Sequence, residues 1–232
     1  YTDVMNVLED LILNTFKYVS ENCKVEQKII GNKKIIILED SCESQGAKIN
    51  NKKVGNFGIA SSFSFYWGHH MTTIEGGMIC TNNEKFYQTC LLKRAHGLAR
   101  ELPKKMHNKI KKKYQSIDFK FLFLSDGYNF RSTEINAILG RLQLKKINKF
   151  INIRNKNYKL FYNLCNEFKN YFITTKTKGM SSFVLQVVLK NKNTANKLKK
   201  TLNYYGIETR PIIAGNLLKQ PFLKNYAKKK LP

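Results

Sequence analysis

Residues 39–78, EDSCESQGAKINNKKVGNFGIASSFSFYWGHHMTTIEGGM, hold most of the side chains that can carry chemistry in this 232-residue chain. The apolar run IIIL leads into them and predicts a buried strand over residues 35–40, with its carboxylates at the C-terminal end. Hydroxyl and aromatic residues alternate over 61–66 and predict a second strand, and MICTN predicts a third. Ligands of open α/β sheets bind at the carboxyl ends of strands. The stretch therefore predicts an α/β fold with a ligand site near Asp40.

The rest of the chain continues the α/β pattern in two parts. Apolar spacing predicts helices over 4–22, 84–96, 132–161 and 194–205, with Ser132 or Thr133 as the N-cap of the third, and strands over 183–189 and 207–213. The basic stretch 101–118 is interpreted as an exposed loop. We expect a partial large domain over residues 1–145 and a partial smaller α/β domain over 146–232. Because the first residue is Tyr1, we expect the chain to be a fragment of a longer protein.

The net charge of +25 has two interpretations. A basic surface can bind nucleic acid by neutralising phosphates. However, arginine, the side chain best suited to base and phosphate recognition, occurs only six times. The lysines are spread along the whole chain, and asparagine is abundant too, as A/T-rich coding sequence would produce. We therefore expect compositional drift and keep a basic nucleic-acid-binding module as the alternative.

Other bulk features exclude several classes of protein. The five cysteines form no C-x-x-C pair, which indicates reduced thiols and a cytoplasmic location. No apolar run approaches the ~20 residues that span a bilayer, so we expect no membrane partner. The histidines lack carboxylates at metal-site spacing, so we expect no metal.

Three residues of the quoted stretch are candidates for a site, and each has a plainer interpretation. Asp40, at the end of an apolar strand, suits a cationic partner such as a protonated pyridine nitrogen, or it caps a turn. Ser64 could bind phosphate or be structural. His69 could exchange protons, because free histidine has a pKa of about 6.5, or it could be a packing residue.

Several motifs together resemble one family. The order E-D-x5-G-A, G-N-F-G, S-F-S-F-Y and H-x-x-T-x-E-G-G-M is similar to the DegT/DnrJ/EryC1/StrS group of sugar aminotransferases. The similarity continues through RAHGLARE (94–101), GYNFRSTEINAILGRLQL (127–144) and IETRPIIAGNLLKQP (207–221). The resemblance implies a fold-type-I large domain that binds pyridoxal phosphate, followed by a smaller domain.

The main departure from that family is His69. Aminotransferases of the family carry a lysine there, which forms the Schiff base with the cofactor, whereas this chain has no lysine between Lys53 and Lys85. Histidine in F-Y-x-x-H-H-x-x-T-x-E-G-G, and the late R-P-I-I-A-G-N segment, resemble the 3-dehydratase branch, including the GDP-4-keto-6-deoxy-D-mannose 3-dehydratases. The iron–sulfur members of that branch use closely spaced cysteines, which this chain lacks.

The resemblance implies a role for each candidate residue. Asp40 would pair with the pyridinium nitrogen, Glu43 would lie near the phenolic oxygen, and Ser64 would bind the phosphate. Asn129, in GYNFR, matches a residue that the family lends to the phosphate of the neighbouring subunit in a homodimer. Substrate binding by Arg210 is the least specific of these inferences, with a surface ion pair as its alternative.

The implied function is 3-dehydration of a nucleotide-linked 4-keto-6-deoxy sugar for deoxysugar synthesis, as in lipopolysaccharide. The cofactor would be pyridoxal or pyridoxamine phosphate, bound without a covalent link, with glutamate as amino donor and His69 as the acid/base. The nucleotide and the sugar stereochemistry stay open. An aminotransferase of the family, or an inactive relative, is the first alternative.

Overall fold

The computed structural model describes residues 28–30, 33–173, 178–211 and 220–225. The helix predicted over residues 4–22 lies outside the described residues, as do positions 212 and 213 of the last predicted strand.

The described residues contain nine short strands. They are β1 (Lys28–Ile30), β2 (Lys33–Ile35), β3 (Leu38–Asp40), β4 (Lys48–Ile49), β5 (Lys52–Lys53), β6 (Ala60–Ser64), β7 (Gly77–Thr81), β8 (Phe172–Ile173) and β9 (Val188–Leu189). β1–β2, β4–β5 and β8–β9 are antiparallel pairs. The remaining three form the sheet that positions the site.

That sheet has the strand order β3–β6–β7, with β3 parallel to β6 and β7 antiparallel to β6. Ile59 and Ala60 are buried at the start of β6 and pack with Phe86, and Ile36 and Cys90 lie against this cluster. The three strands predicted between residues 35 and 81 are confirmed, although the first is divided between β2 and β3.

The described residues form five α-helices, three of which begin with a side-chain cap. They are α1 (Glu84–Arg94), α2 (Lys104–Lys113), α3 (Glu134–Leu144), α4 (Ile147–Glu167) and α5 (Lys192–Tyr204). The Asn83 side chain caps α1 by accepting from the N–H of Phe86 at 2.9 Å. Thr133 caps α3 in a capping box with Asn136, which confirms one of the two predicted caps. Within the described residues, no helix combines the length and the apolar character needed to cross a membrane.

Four sequence predictions are wrong in part. The single helix predicted over 132–161 is two helices, α3 and α4, with a turn at 145–146 between them. Residues 104–113 of the predicted loop form α2, because lysine favours helix and because Met106, His107 and Ile110 share its partly buried face. Of residues 183–189, only Val188 and Leu189 form a strand, since side chains of α4 bind the backbone at 180–183. Residues 207–211 are not a strand. Ile207 instead donates to the carbonyl of Leu202 after the left-handed Gly206.

The chain forms two compact units. Among the described residues, the first unit comprises those from 28 to 161 and from 178 to 185, and the second comprises 162–173, 186–211 and 220–225. Segment 178–185 thus belongs to the first unit, although it lies between two parts of the second along the chain. The division of the complete protein at 145/146 stays a prediction.

Candidate active site

The site begins where the parallel strands β3 and β6 end. Asp40 pairs with Ser62 in the strand register, and Ser64 is the last residue of β6. Because side chains alternate along a strand, Ser62 and Ser64 lie on one face and Ser61 and Phe63 on the other. The two faces have different roles: one holds a neighbouring loop, and the other carries the candidate site.

Glu39 lies on the face of the sheet that holds this loop. Its carboxylate accepts the backbone N–H groups of Gly55 at 2.6 Å, Phe57 at 2.5 Å and Gly58 at 2.7 Å. Burial raises the pKa of Glu39, but the three N–H donors and the charge of Lys52 outweigh it, so the pKa is lowered. Glu39 thereby holds the G-N-F-G loop against the sheet. The sequence predicted no role for it, although its alternation with Asp40 was visible.

Asp40 lies on the other face. Its Oδ1 accepts from the backbone N–H of Cys42 at 3.1 Å and from the hydroxyl of Ser62 at 3.5 Å. The hydrogen bonds from Cys42 are the main cause that lowers the pKa of Asp40, and Ser62 and the nearby charge of His69 add to it. The structure therefore presents an ionised carboxylate near an imidazole at a strand end.

Ser64 and Gln45 continue this polar edge. The Ser64 hydroxyl accepts from the N–H of Tyr66 at 3.3 Å, and the Ser64 carbonyl accepts from Nε2 of Gln45 at 2.8 Å. Oε1 of Gln45 is buried and has no hydrogen-bond partner within the part of the chain that the structure describes. The sequence did not single out Gln45, since a glutamine in a turn carries no specific signal.

His69 is held in a turn directly after β6. Its N–H donates to the carbonyl of Tyr66 at 3.0 Å. Its ring makes T-shaped contacts with two aromatic rings, with centroid distances of 5.6 Å to Tyr66 and 5.2 Å to Phe183. Nδ1 of His69 is buried, and no described residue gives it a hydrogen bond. These contacts fix the ring position.

The loop that carries His69 is closed by backbone bonds. The N–H of Thr73 donates to the carbonyl of Phe65 at 2.9 Å, and the N–H of Phe65 donates to the carbonyl of Gly76 at 2.8 Å. The amide of Asn136 in α3 donates to the carbonyls of Thr73 at 2.7 Å and Glu75 at 3.2 Å. The T-x-E-G-G motif is thus a loop closure, and helix α3 braces it.

A cavity of about 290 Å³ opens beside this turn. Aromatic and polar side chains line it together with both histidines, namely Trp67, Phe150, Thr72, Gln143 and Arg154. Trp67 is 68% exposed. The sequence pointed to none of these lining residues: those on α3 and α4 approach the turn only in the folded chain, and those beside the histidines carry no specific signal.

The structure brings some of the predicted site residues together and leaves others apart. Asp40, Ser64 and His69 share the edge described above, and Glu43 lies exposed in the turn that follows β3. Asn129 is exposed, and its Oδ1 accepts from Nε of Arg131 at 3.0 Å. Arg210 is exposed and belongs to the second unit. The assigned roles of all six residues stay predictions.

The donor set at this edge suits a specific kind of molecule. An ionised carboxylate stabilises a protonated ring nitrogen, hydroxyls bind phosphate oxygens, and an imidazole exchanges protons. These groups fit a phosphorylated, nitrogen-containing aromatic ring. Among the described residues, no cluster of three or more His, Cys, Asp and Glu side chains could hold a metal.

Comparisons with known proteins agree with this chemistry. The model of the DegT/DnrJ/EryC1/StrS aminotransferase family matches residues 20–232. GDP-4-keto-6-deoxy-D-mannose 3-dehydratase of Escherichia coli O55:H7 is 40% identical over 203 residues, which cover 86% of this chain and 52% of that protein.

Two solved structures of such an enzyme are similar to the chain. The E. coli enzyme with bound hydrated PLP has a TM-score of 0.73 and 39% identity, covering 85% of this chain and 51% of that one. A GDP-4-keto-6-deoxymannose-3-dehydratase with a trapped PLP-glutamate adduct has a TM-score of 0.72 and 38% identity, covering 86% and 51%. The chain spans about half the length of the relatives it matches.

Proposed function

The chain belongs to the DegT/DnrJ/EryC1/StrS aminotransferase family, and from this premise we propose that the complete protein is a sugar-nucleotide 3-dehydratase. It would use pyridoxal or pyridoxamine phosphate, bound without a covalent link. The reaction would remove the C3 hydroxyl of a nucleotide-linked 4-keto-6-deoxyhexose, as a lyase in deoxysugar synthesis for polysaccharides such as lipopolysaccharide.

One observation carries this proposal: the motif contains a histidine, His69, at the position where the resemblance implies the family's lysine. His69 lies in the turn after β6, and residues 54–84 contain no lysine that could replace it. An imidazole cannot form a Schiff base, but it can take and return a proton near neutral pH. The substitution therefore favours dehydration over amino transfer.

The polar edge supports the binding of this cofactor. Asp40 would face the pyridine nitrogen, since hydrogen bonds already hold its carboxylate in the charged form. Ser64 would bind the phosphate from the end of β6, and Glu43 in the adjacent turn would lie near the phenolic oxygen. The buried Nδ1 of His69 and Oε1 of Gln45 have no partner among the described residues, as groups that await a ligand or water would.

The mechanism follows from what these side chains can do. When bound, the cofactor supplies an amino group for the substrate ketone and a ring that withdraws electrons. Asp40 would keep a proton on the ring nitrogen by its negative charge. With Nδ1 of His69 buried, proton exchange falls to Nε2, which would remove a proton and then return one to the departing C3 hydroxyl. Tyr66 and Phe183 hold the imidazole in place for both steps.

The relatives favour particular partners for the complete protein. We propose a GDP-linked sugar as substrate, because the relatives with about 40% identity act on one by name. Glutamate would be the amino donor. The complete protein would be a homodimer in which Asn129 reaches the cofactor phosphate of the neighbouring subunit, with Arg210 contacting substrate. The free thiols of the four described cysteines favour the cytoplasm.

The activity test uses the complete protein with pyridoxamine phosphate, glutamate and GDP-4-keto-6-deoxymannose. Mass spectrometry should detect the nucleotide-linked 3-deoxy-4-keto sugar or the free sugar released from it. His69→Asn should abolish this product, whereas His107→Asn, which changes a histidine bonded to the carbonyl of Leu102, should not. An aminated sugar as the main product would instead identify an aminotransferase.

A further inference from the structure

Segment 178–183 returns to the first unit and lies across the two adjacent histidines. Gly179 accepts the N–H of Lys48 at 2.7 Å. Asn155 holds both the carbonyl of Met180, at 3.1 Å, and the N–H of Ser182, at 2.8 Å. Helix α4 and the β4 strand thus fix the backbone of this segment at both ends.

The third anchor of the segment is His70. Its Nε2 lies 3.0 Å from the hydroxyl of Ser181, and both residues are buried, with exposed fractions of 2% and 6%. A buried hydrogen bond of this kind specifies one arrangement, because breaking it leaves a polar atom without water. Nδ1 of His70 has no partner among the described residues.

His70 keeps this bond as a neutral group. Burial lowers the pKa of His70 to about 4, and the positive charge of Arg154 contributes in the same direction. Backbone groups of Ser181 and Ser182 oppose the shift, and the neighbouring His69 adds a small lowering effect. Both histidines line the cavity, but their environments differ: His70 is buried and uncharged, whereas His69 is half-buried and lies near Asp40.

Phe183 connects the two histidines. Its ring centroid lies 5.2 Å from that of His69 in an edge arrangement and 6.1 Å from that of His70. The guanidinium of Arg154 donates to the carbonyl of Phe183 at 2.9 Å, which fixes the backbone of this residue. The position of the ring against His69 therefore depends on the anchors of segment 178–183.

We propose that His70 is a positioning residue for His69, acting through Ser181 to hold Phe183 against the His69 imidazole. This proposal rests on the proposed role of His69 as the acid/base. A proton-transfer group displaced by about 1 Å can lose roughly 10²-fold in rate, so a fixed ring wall beside His69 has catalytic value.

The first test measures the contact itself, without activity. The complete protein, free of cofactor and labelled in its histidine rings, is studied by NMR at neutral pH. Ser181→Ala and His70→Leu should shift the His69 ring signals toward those of an unfolded histidine. Phe183→Leu should cause the same shift, because it removes the phenyl ring that contacts His69. His70→Gln, which can still bond Ser181, should retain most of the wild-type shift. His107→Gln is the matched control and should leave the His69 signals unchanged.

The second test measures turnover. Ser181→Ala and His70→Leu should lower kcat for dehydration by roughly 10- to 100-fold, with KM for the sugar nucleotide nearly unchanged and with partial recovery in His70→Gln. If His69 signals and kcat stay at wild-type values while Tm falls, His70 is only a core residue and the proposal fails. If the wild-type protein forms no dehydration product, the proposed function fails, and the NMR shifts still decide the contact.

Discussion

Glu39 and Asp40 are neighbours in β3 and direct their carboxylates to opposite faces of the sheet. Glu39 accepts three backbone N–H groups from residues 55–58, whereas Asp40 accepts from Cys42 and Ser62. The carboxylate of Glu39 therefore holds the loop of residues 55–58, and the carboxylate of Asp40 faces the candidate site. A substitution at each position should therefore change a different property of the protein.

We expect Glu39→Gln to lower stability with a specific pH dependence. Because the folded-state pKa of Glu39 lies below its usual value of 4.5, its stabilising effect is complete above that value and is lost as the pH falls through the folded pKa. Loss of these charge-assisted bonds should cost about 1–2 kcal/mol at pH 7, a low figure because the site is partly exposed to solvent.

Urea unfolding between pH 3 and pH 7 measures this effect. The wild type and the Glu39→Gln variant should converge in free energy of unfolding toward the acid end. Glu208→Gln, at an exposed position, is the matched control and should change little. A difference that is equal at all pH values would show that the charge of Glu39 is not what stabilises the loop.

Asp40→Asn should weaken cofactor binding while leaving Tm almost unchanged. The carboxylate is exposed and has few protein partners, but its charge is what holds a proton on a bound pyridine nitrogen. Loss of one charge-assisted contact corresponds to roughly 10- to 100-fold in Kd. Absorbance titration of the complete protein with pyridoxal phosphate gives Kd, and Asp126→Asn, which changes a surface ion pair with Lys93, is the control. Equal Kd values for the two variants would remove Asp40 from the site.

The strands of the site were predictable because period-2 alternation and the change from apolar to polar residues are local signals. Asp40, Ser64 and His69 could be named for the same reason. Two long-range contacts could not be predicted from the sequence. Asn136, which braces the loop, is 63 positions from Thr73, and Ser181 is 111 positions from its partner His70. The basic, irregular stretch 101–118 predicts a loop, yet part of it forms α2, because lysine favours helix and two apolar residues four positions apart mark its inner face.

Asn129→Ala should weaken cofactor binding in the complete protein without unfolding it. Backbone bonds from Tyr128 to Lys93 and from Phe130 to Arg94 hold this segment, so the exposed Asn129 side chain contributes little to the fold. Light scattering should show a homodimer for both proteins, and the titration should show a higher Kd for the variant. Asn108→Ala, at an exposed position of α2, is the control. A catalytically active monomer would contradict the shared site.

The protein should bind duplex DNA only weakly, despite its net charge of +25. The densest run of lysines among the described helices is in α2, and one of its lysines is already paired, Lys105 with Glu84 at 2.6 Å. Scattered contacts of this kind weaken steeply with salt. A gel-shift assay should show no complex at ~0.15 M salt, where charges are screened beyond about 8 Å. Tight, sequence-selective binding under these conditions would revive the nucleic-acid interpretation.

His69→Lys tests the identity of the acid/base directly. In the wild type, borohydride treatment with pyridoxal phosphate should leave no phosphopyridoxyl group on residues 54–84, because an imidazole cannot form a reducible bond with the aldehyde. The variant should gain such a group at position 69, since the polar edge with Asp40 and Ser64 is unchanged. Dehydration should fall by roughly 10²- to 10⁴-fold, as expected for the loss of a positioned acid/base. Some activity can survive, because an amine also moves protons, and amino transfer need not appear in an unchanged substrate pocket.

Mass spectrometry of the reduced protein and the rate of 3-deoxy product formation provide the two measurements. Equal turnover in variant and wild type would exclude His69 from the mechanism, and a borohydride adduct on wild-type residues 54–84 would end the proposal of non-covalent binding.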